Sequence, residues 1–241
     1  MTKIEWTNHV WNPVSGCTKV SEACLHCYAE TMANRLSGMP QTKEKYEHRF
    51  QVTLHPSDLT LPYHWKSGMV FVVSMGDLFH TEVPVSFIWD VMHVIKDNPQ
   101  LTFQILTKRA DNMRRFFSIY KVPQNVWLGV TCETASHYDR IDALRQIKHA
   151  PVRFVSAEPL LGDMSDIDLT GIHWLITGGE TGARARRSDP CWFRRLRDRC
   201  LAHEVPFFFK AWGAWGEDGI KRSKEANGHL LDGQEWLEYP K

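Results

Sequence analysis

What most constrains this chain is a rhythm. A short apolar, β-branched run gives way to polar or glycine residues and then to a helical pattern, and the cycle recurs along the sequence. Such alternation predicts βα units, because parallel neighbours need a crossover connection that a helix supplies. Residues 69–73 form a near-continuous apolar run, as suits a strand covered on both faces. Residues 101–106, 126–130, 152–155, 172–176 and 205–209 read as further strands, and 50–54 as a shorter one ending at Pro56. Helical patterns fall at 28–36, 86–96, 111–120, 136–147 and 190–203, the last opened by Ser188-Asp189-Pro190, with a capping residue and a first-turn proline. Residues 6–16 are expected to hold a short strand, and 212–241, rich in glycine and polar residues, a loop or peripheral hairpin extension. One domain over 1–241 is expected, with 1–40 as its opening loop and first helix.

Composition excludes more than it suggests. Lys and Arg number 29 against 28 Asp and Glu, so net charge gives no sign of strong nucleic-acid affinity. The start, Met1-Thr2-Lys3-Ile4-Glu5-Trp6, has no apolar signal region, and no run approaches about 18 apolar residues, so neither a signal peptide nor a membrane span is expected. Six cysteines are too few for a disulfide scaffold, and a reducing cytoplasm is the expected compartment. The ten Trp are mostly core filler, although an aromatic plane beside a site can stack on a base.

Three of those cysteines, Cys17, Cys24 and Cys27, fall within eleven residues as C-x6-C-x2-C, followed by Tyr28 and the first helix. A C-x-x-C pair lets two sulfurs address one metal, and no fourth cysteine comes before Cys132. Structural zinc wants four protein ligands, so three thiols point to a [4Fe-4S] cluster with one iron open to a small molecule. The alternative is a zinc site completed by His26.

Charged residues collect just after the strands: Asp77, Lys108, Glu133, Glu158, Glu180 and Lys210. Ligands of parallel α/β folds bind outside the carboxyl ends of the strands, so a shared site is expected there. The plainer reading is that polar loops simply begin where strands stop. Cys132 stands at one such end and is a candidate catalytic hydrogen donor or thiyl relay, whereas Cys191 and Cys200 read as buried free cysteines.

A set of longer motifs carries a family likeness. Trp11-Asn12-Pro13, Cys24-Leu25-His26-Cys27-Tyr28-Ala29-Glu30, Asp77-Leu78-Phe79-His80, Leu106-Thr107-Lys108-Arg109, Ser156-Ala157-Glu158-Pro159-Leu160-Leu161-Gly162, Gly178-Gly179-Glu180 and Pro206-Phe207-Phe208-Phe209-Lys210 span nearly the whole chain. Together with the cysteine loop they resemble the radical S-adenosylmethionine (SAM) superfamily, in an uncharacterised phage-associated branch. The usual superfamily spacing is C-x3-C-x2-C, so the longer first gap is a departure. The resemblance implies a partial (β/α)6-type TIM barrel and reductive cleavage of SAM on the cluster to a radical that abstracts hydrogen from substrate. It also implies an electron donor of flavodoxin or ferredoxin type. By position it makes Cys17, Cys24 and Cys27 the cluster ligands and sets Tyr28 near adenine. Ser74, Met75, Gly76 and Asp77 would face the SAM amino group, Lys108 the carboxylate, and Glu133 or Glu158 the ribose.

The later Gly178, Gly179 and Glu180 are left for substrate, with Lys210. Seven arginines lie between positions 184 and 199, and the loop members Arg184, Arg186 and Arg187 are the better candidates for phosphate contacts. A nucleobase in DNA, RNA or a nucleotide is therefore the expected substrate. The alternatives are a small-molecule or peptide substrate, and a zinc-stabilised nucleic-acid-binding protein without catalysis.

Overall fold

The computed structural model describes residues 4–241. Met1, Thr2 and Lys3, the beginning of the stretch read above for a signal peptide, lie outside the described residues. The chain resolves into two compact units, one running to Leu128 with Ile147–Pro151, the other made of Gly129–Gln146 and Val152–Lys241.

The first unit holds β1 (His9–Trp11), β2 (Val14–Ser15), α1 (Tyr28–Leu36), β3 (Thr53–Leu54), β4 (Gly68–Val72), α2 (Val85–Asp97), β5 (Leu101–Thr107) and α3 (Ala110–Ile119). β1, β4 and β5 run parallel side by side, with Trp11 opposite Val72 and Val72 opposite Ile105. β2 and β3 form a separate antiparallel pair. β6 (Val126–Thr131) carries the chain into the second unit, which holds α4 (Tyr138–Arg145), β7 (Val152–Ala157), β8 (Trp174–Thr177), α5 (Pro190–Ala202), β9 (Phe207–Phe209) and α6 (Lys224–Asn227). β7, β8 and β9 are again parallel neighbours. The fold is thus α/β, with seven strands in one sheet in the order β1-β4-β5-β6-β7-β8-β9 and helices between them. That order never reverses, unlike a doubly wound sheet, which has a switch point.

The elements form where their side chains can be buried. In β4, Val70 and Val72 are fully covered, and the three phenylalanines of β9 are buried too, as strands masked on both faces require. α2 buries Phe87, Ile88, Val91, Met92, Val94 and Ile95, the helical spacing of a core face. Asp189 caps α5 by accepting from the Cys191 N–H at 2.8 Å, and Pro190 takes the first turn, where its missing N–H costs nothing. Trp6, Trp11, Trp174 and Trp212 are core residues.

Some boundaries differ from the sequence reading. The strand expected at 50–54 is only Thr53–Leu54. The helix expected at 136–147 is a 3-10 turn, Ala135–His137, followed by α4. Pro56–His64 forms a 3-10 helix that no apolar period announces, with Pro56 at its start and Pro62 inside. Cys191, expected to be buried, is exposed on the first turn of α5, while Cys200 is buried as expected. Among the described residues, no helix is long and apolar enough to cross a membrane.

Candidate functional site

In the first unit the cysteine loop is fastened at its root. Gly16 pairs with Gly76 in a parallel bridge, and its N–H donates to the Met75 carbonyl at 2.8 Å. Gly16 has φ +83°, and a Cβ there would stand 2.1 Å from the Gln51 carbonyl oxygen, so only glycine fits. The chain leaves β4 through Val73, whose φ of 61° is an outlier for a β-branched residue. Just beyond it, the Ser74 carbonyl accepts from the Tyr28 hydroxyl at 2.5 Å, and Asn12 Oδ1 accepts from Ser74 Oγ and the Met75 N–H. Tyr28, Ser74, Met75 and Gly76 are therefore brought together.

Asp77 turns into the fold instead of outward. Its carboxylate accepts from Thr107 Oγ1 at 2.7 and 2.8 Å, from the Phe79 N–H at 3.0 Å and from the Lys108 N–H at 3.3 Å. Burial pushes its carboxyl up, and these donors together with Arg109 pull it back. Thr107 Oγ1 accepts in turn from the Arg109 N–H at 2.8 Å. Arg109 Nε stands 4.0 Å from Asp77 Oδ2, too far for a hydrogen bond, and Nη2 reaches out to the loop. There it donates to the Thr18 carbonyl at 3.1 Å and Oγ1 at 2.7 Å, and lies 4.0 Å from Cys17 Sγ. His80 completes the group. Its Nδ1 accepts from the Glu82 N–H, so Nε2 carries the proton and donates to Thr18 Oγ1 at 2.9 Å.

Thr18, His80, Thr107 and Arg109 were given no role by sequence reasoning. His80 and Arg109 sit inside motifs quoted above, one to three residues from the positions chosen. The signal was there, but nothing in it said which neighbour would turn towards the loop.

The three sulfurs have different surroundings. Cys17 faces Arg109, and its thiol is pushed up to about 11 by burial and by the charge of Asp77. Cys24 lies in the 3-10 turn Glu22–His26, its sulfur 3.7 Å from Ser21 Oγ. Cys27 caps α1 and packs against the apolar group of Ala29, Ala33, Tyr46 and Met75. None is in a disulfide. Among the described residues, no three His, Cys, Asp or Glu side chains are placed to hold a metal ion, so neither the cluster geometry nor the zinc site with His26 is formed by the loop as it stands.

In the second unit each strand-end carboxylate has its own cation. Glu133, fully buried, meets Arg140 Nη1 at 2.8 Å, and the same nitrogen donates to the Thr131 carbonyl. Glu158 meets Lys210 Nζ at 2.5 Å, against the Cα of Gly178. Glu180 accepts from the Arg186 N–H at 2.6 Å and from its guanidinium through both carboxylate oxygens. Gly179 lies so close to the next segment that a Cβ would come within 1.9 Å of the Trp212 carbonyl oxygen. Cys132 is buried, with Sγ 3.3 Å from the Thr134 carbonyl, and burial and Glu133 push its thiol up to about 12. Arg184 is exposed, and Arg187 lies against Gly219. On α5, Arg194 and Arg197 are tied to Asp232 and Arg195 to Asp163 in ion pairs, while Arg199 donates to the Ile167 carbonyl.

The family model that matches is "Protein of unknown function (DUF5131)", over residues 1–240, and the chain belongs to that family. No curated protein and no solved structure matches. The resemblance to the radical SAM superfamily is thereby overturned: the matching family is a different one, and the cysteine loop does not form the cluster site that membership required.

Proposed function

We propose that this member of the DUF5131 family is an enzyme acting on a nucleobase-bearing substrate, with the Cys17–Cys27 loop as the seat of its reactive group. The observation that carries the reading is the Cys17 thiol set 4.0 Å from Arg109 Nη2, beside the buried Asp77–Thr107 pair at the carboxyl ends of β4 and β5. Parallel α/β folds bind their ligands at that end. We read the non-reversing strand order as the wall of a partial (β/α) barrel, which would give the site its floor.

Three free thiols on one loop are the donor chemistry of a [4Fe-4S] centre, and one with an open iron would supply one-electron cleavage of SAM. The present placement of the sulfurs does not fit such a centre. What the chain itself offers is clearer. Arg109 presents a fixed guanidinium suited to a carboxylate or phosphate, held in aim by Thr107 and Thr18. The Tyr28 hydroxyl is anchored on Ser74 and the residue is 55% exposed, so its ring is a surface on which an adenine or substrate base can stack.

Anaerobic reconstitution with iron and sulfide tests the reading. The chain is expected to take up iron and sulfide in equal amounts, to lose both in Cys24→Ala, and to form 5′-deoxyadenosine from SAM under a strong reductant. No iron uptake, or uptake unchanged in Cys24→Ala, overturns it, and zinc in the purified protein points to the non-catalytic alternative.

A further inference from the structure

The second unit contains a cavity of about 320 Å³ lined by Thr181, Gly182, Ala183 and Ala214 on one side and by Lys221, Arg222, Ser223 and Lys224 on the other. Its lining holds three cations, two hydroxyls and no carboxylate. Both walls are stitched in place. Gly216 to Gly219 turns a tight hairpin, closed by Gly216 N–H to the Ile220 carbonyl, which sets Lys221 across from Trp215 and donates the Arg222 N–H to the Ala214 carbonyl at 3.0 Å. The opposite wall is held by Ala214 N–H to the Glu180 carbonyl and by Trp215 Nε1 to the Ala185 carbonyl.

Two of the cations, Lys221 and Arg222, have fixed orientations. Lys221 Nζ donates to the Ala183 carbonyl across the cavity and lies 5.3 Å from the centre of the Trp215 ring. An ammonium has three donors, so one carbonyl leaves capacity for an anion. Arg222 is held by Asp218 through both terminal nitrogens and touched by Asn227. Ser223 accepts from the Ala226 N–H, which leaves its O–H to donate. Gly182, at φ +98°, has nothing within 4 Å of where a side chain would project, so the backbone is open to a ligand there.

We propose that this cavity binds a phosphate group carried by a nucleotide. A tetrahedral dianion accepts from several directions at once, which suits two hydroxyls and clustered cations, and the volume lies at the small end of ligand sites, about 300 Å³ and upward. That the carrier is a nucleotide rests on the proposed nucleobase substrate; the anion site itself does not. Its lining does not include Arg184, Arg186 or Arg187, and Arg186 is engaged by Glu180.

Calorimetric titration of the full chain with inorganic phosphate, with adenosine 5′-monophosphate and with a short single-stranded oligonucleotide tests it. Saturable binding of phosphate and the monophosphate, weakening with added salt, is expected. The double variant Lys221→Gln/Lys224→Gln should bind both about tenfold or more weakly with an unchanged melting curve, while Lys148→Gln, an exposed charge loss outside the cavity, should bind as the parent does. Displacement of phosphate by the oligonucleotide identifies a strand as the carrier, and binding of the monophosphate without it identifies a free nucleotide. No binding, or equal binding by the double variant, overturns the site. Cys24→Ala should bind phosphate normally, so a failed iron reconstitution leaves this result standing.

Discussion

Replacing Thr107 by valine removes one hydroxyl and almost no volume, yet it should unsettle the whole approach to the cysteine loop. Thr107 Oγ1 donates to the Asp77 carboxylate at 2.7 and 2.8 Å and accepts from the Arg109 N–H, and the side chain is buried. A hydrogen bond to a charged group contributes about 1.5–3 kcal/mol, and an N–H left unsatisfied in the interior costs about 1–3 kcal/mol. Partial relaxation brings the expected loss to about 3 kcal/mol. It should also depend on pH. Burial already holds the folded Asp77 carboxyl above its usual value, so the folded chain binds that proton more readily than the unfolded one. Stability therefore falls as pH rises from the ordinary carboxylate range through the folded value. Thr107→Val removes a donor that opposes this shift, moves the folded value higher and deepens the fall. Urea denaturation across pH should show a deficit that is smaller in acid, where only the Arg109 N–H is orphaned, and reaches about 3 kcal/mol once Asp77 is ionised. Cys17 should be alkylated more slowly at neutral pH in the variant, because Arg109, which opposes the upward shift of that thiol, loses the anchor from which it faces the loop. A deficit below about 1 kcal/mol, or one independent of pH, would refute the assignment of Thr107 as the donor that keeps the carboxylate in place.

Two further outcomes follow from close approaches and burial. Gly179→Ala should lower stability by about 2–3 kcal/mol, because its Cβ would meet the Trp212 carbonyl oxygen at 1.9 Å and neither backbone can yield cheaply; an unchanged melting temperature would deny that contact. Iodoacetamide at neutral pH, followed by mass spectrometry, should label the exposed Cys191 first and leave Cys132 and Cys200 untouched until denaturant is added. Burial raises both protected thiols, and prompt labelling of either in the native chain would contradict their placement.

The sequence revealed whatever depends on local pattern. The apolar run of β4 and the helix formers after Cys27 settle two elements without any knowledge of their neighbours, and α1 has the expected bounds. Asp77, Glu133, Glu158 and Glu180 were legible as strand-end carboxylates for the same reason. Their partners were less so, since Arg109 is 32 residues from Asp77 and Arg140 lies on the helix after Glu133. A spacing of cysteines reports how far apart sulfurs lie along the chain, but not where they point. The turn Glu22–His26 decides that, and it directs Cys24 to Ser21 while Cys27 packs on α1 and Met75. Pro56–His64 escaped notice because a helix broken by Pro62 leaves no apolar stripe.

The bridge between Gly16 and Gly76 has a consequence for how such a sequence can drift. A methyl group at 76 would stand 2.8 Å from the Gly16 carbonyl oxygen, and one at 16 would strike Gln51. Neither mutation compensates for the other, because each collides with backbone and not with the partner's missing side chain. The two positions therefore cannot trade places through a double substitution. In descendants of this chain both should persist as glycine for as long as the loop is rooted there.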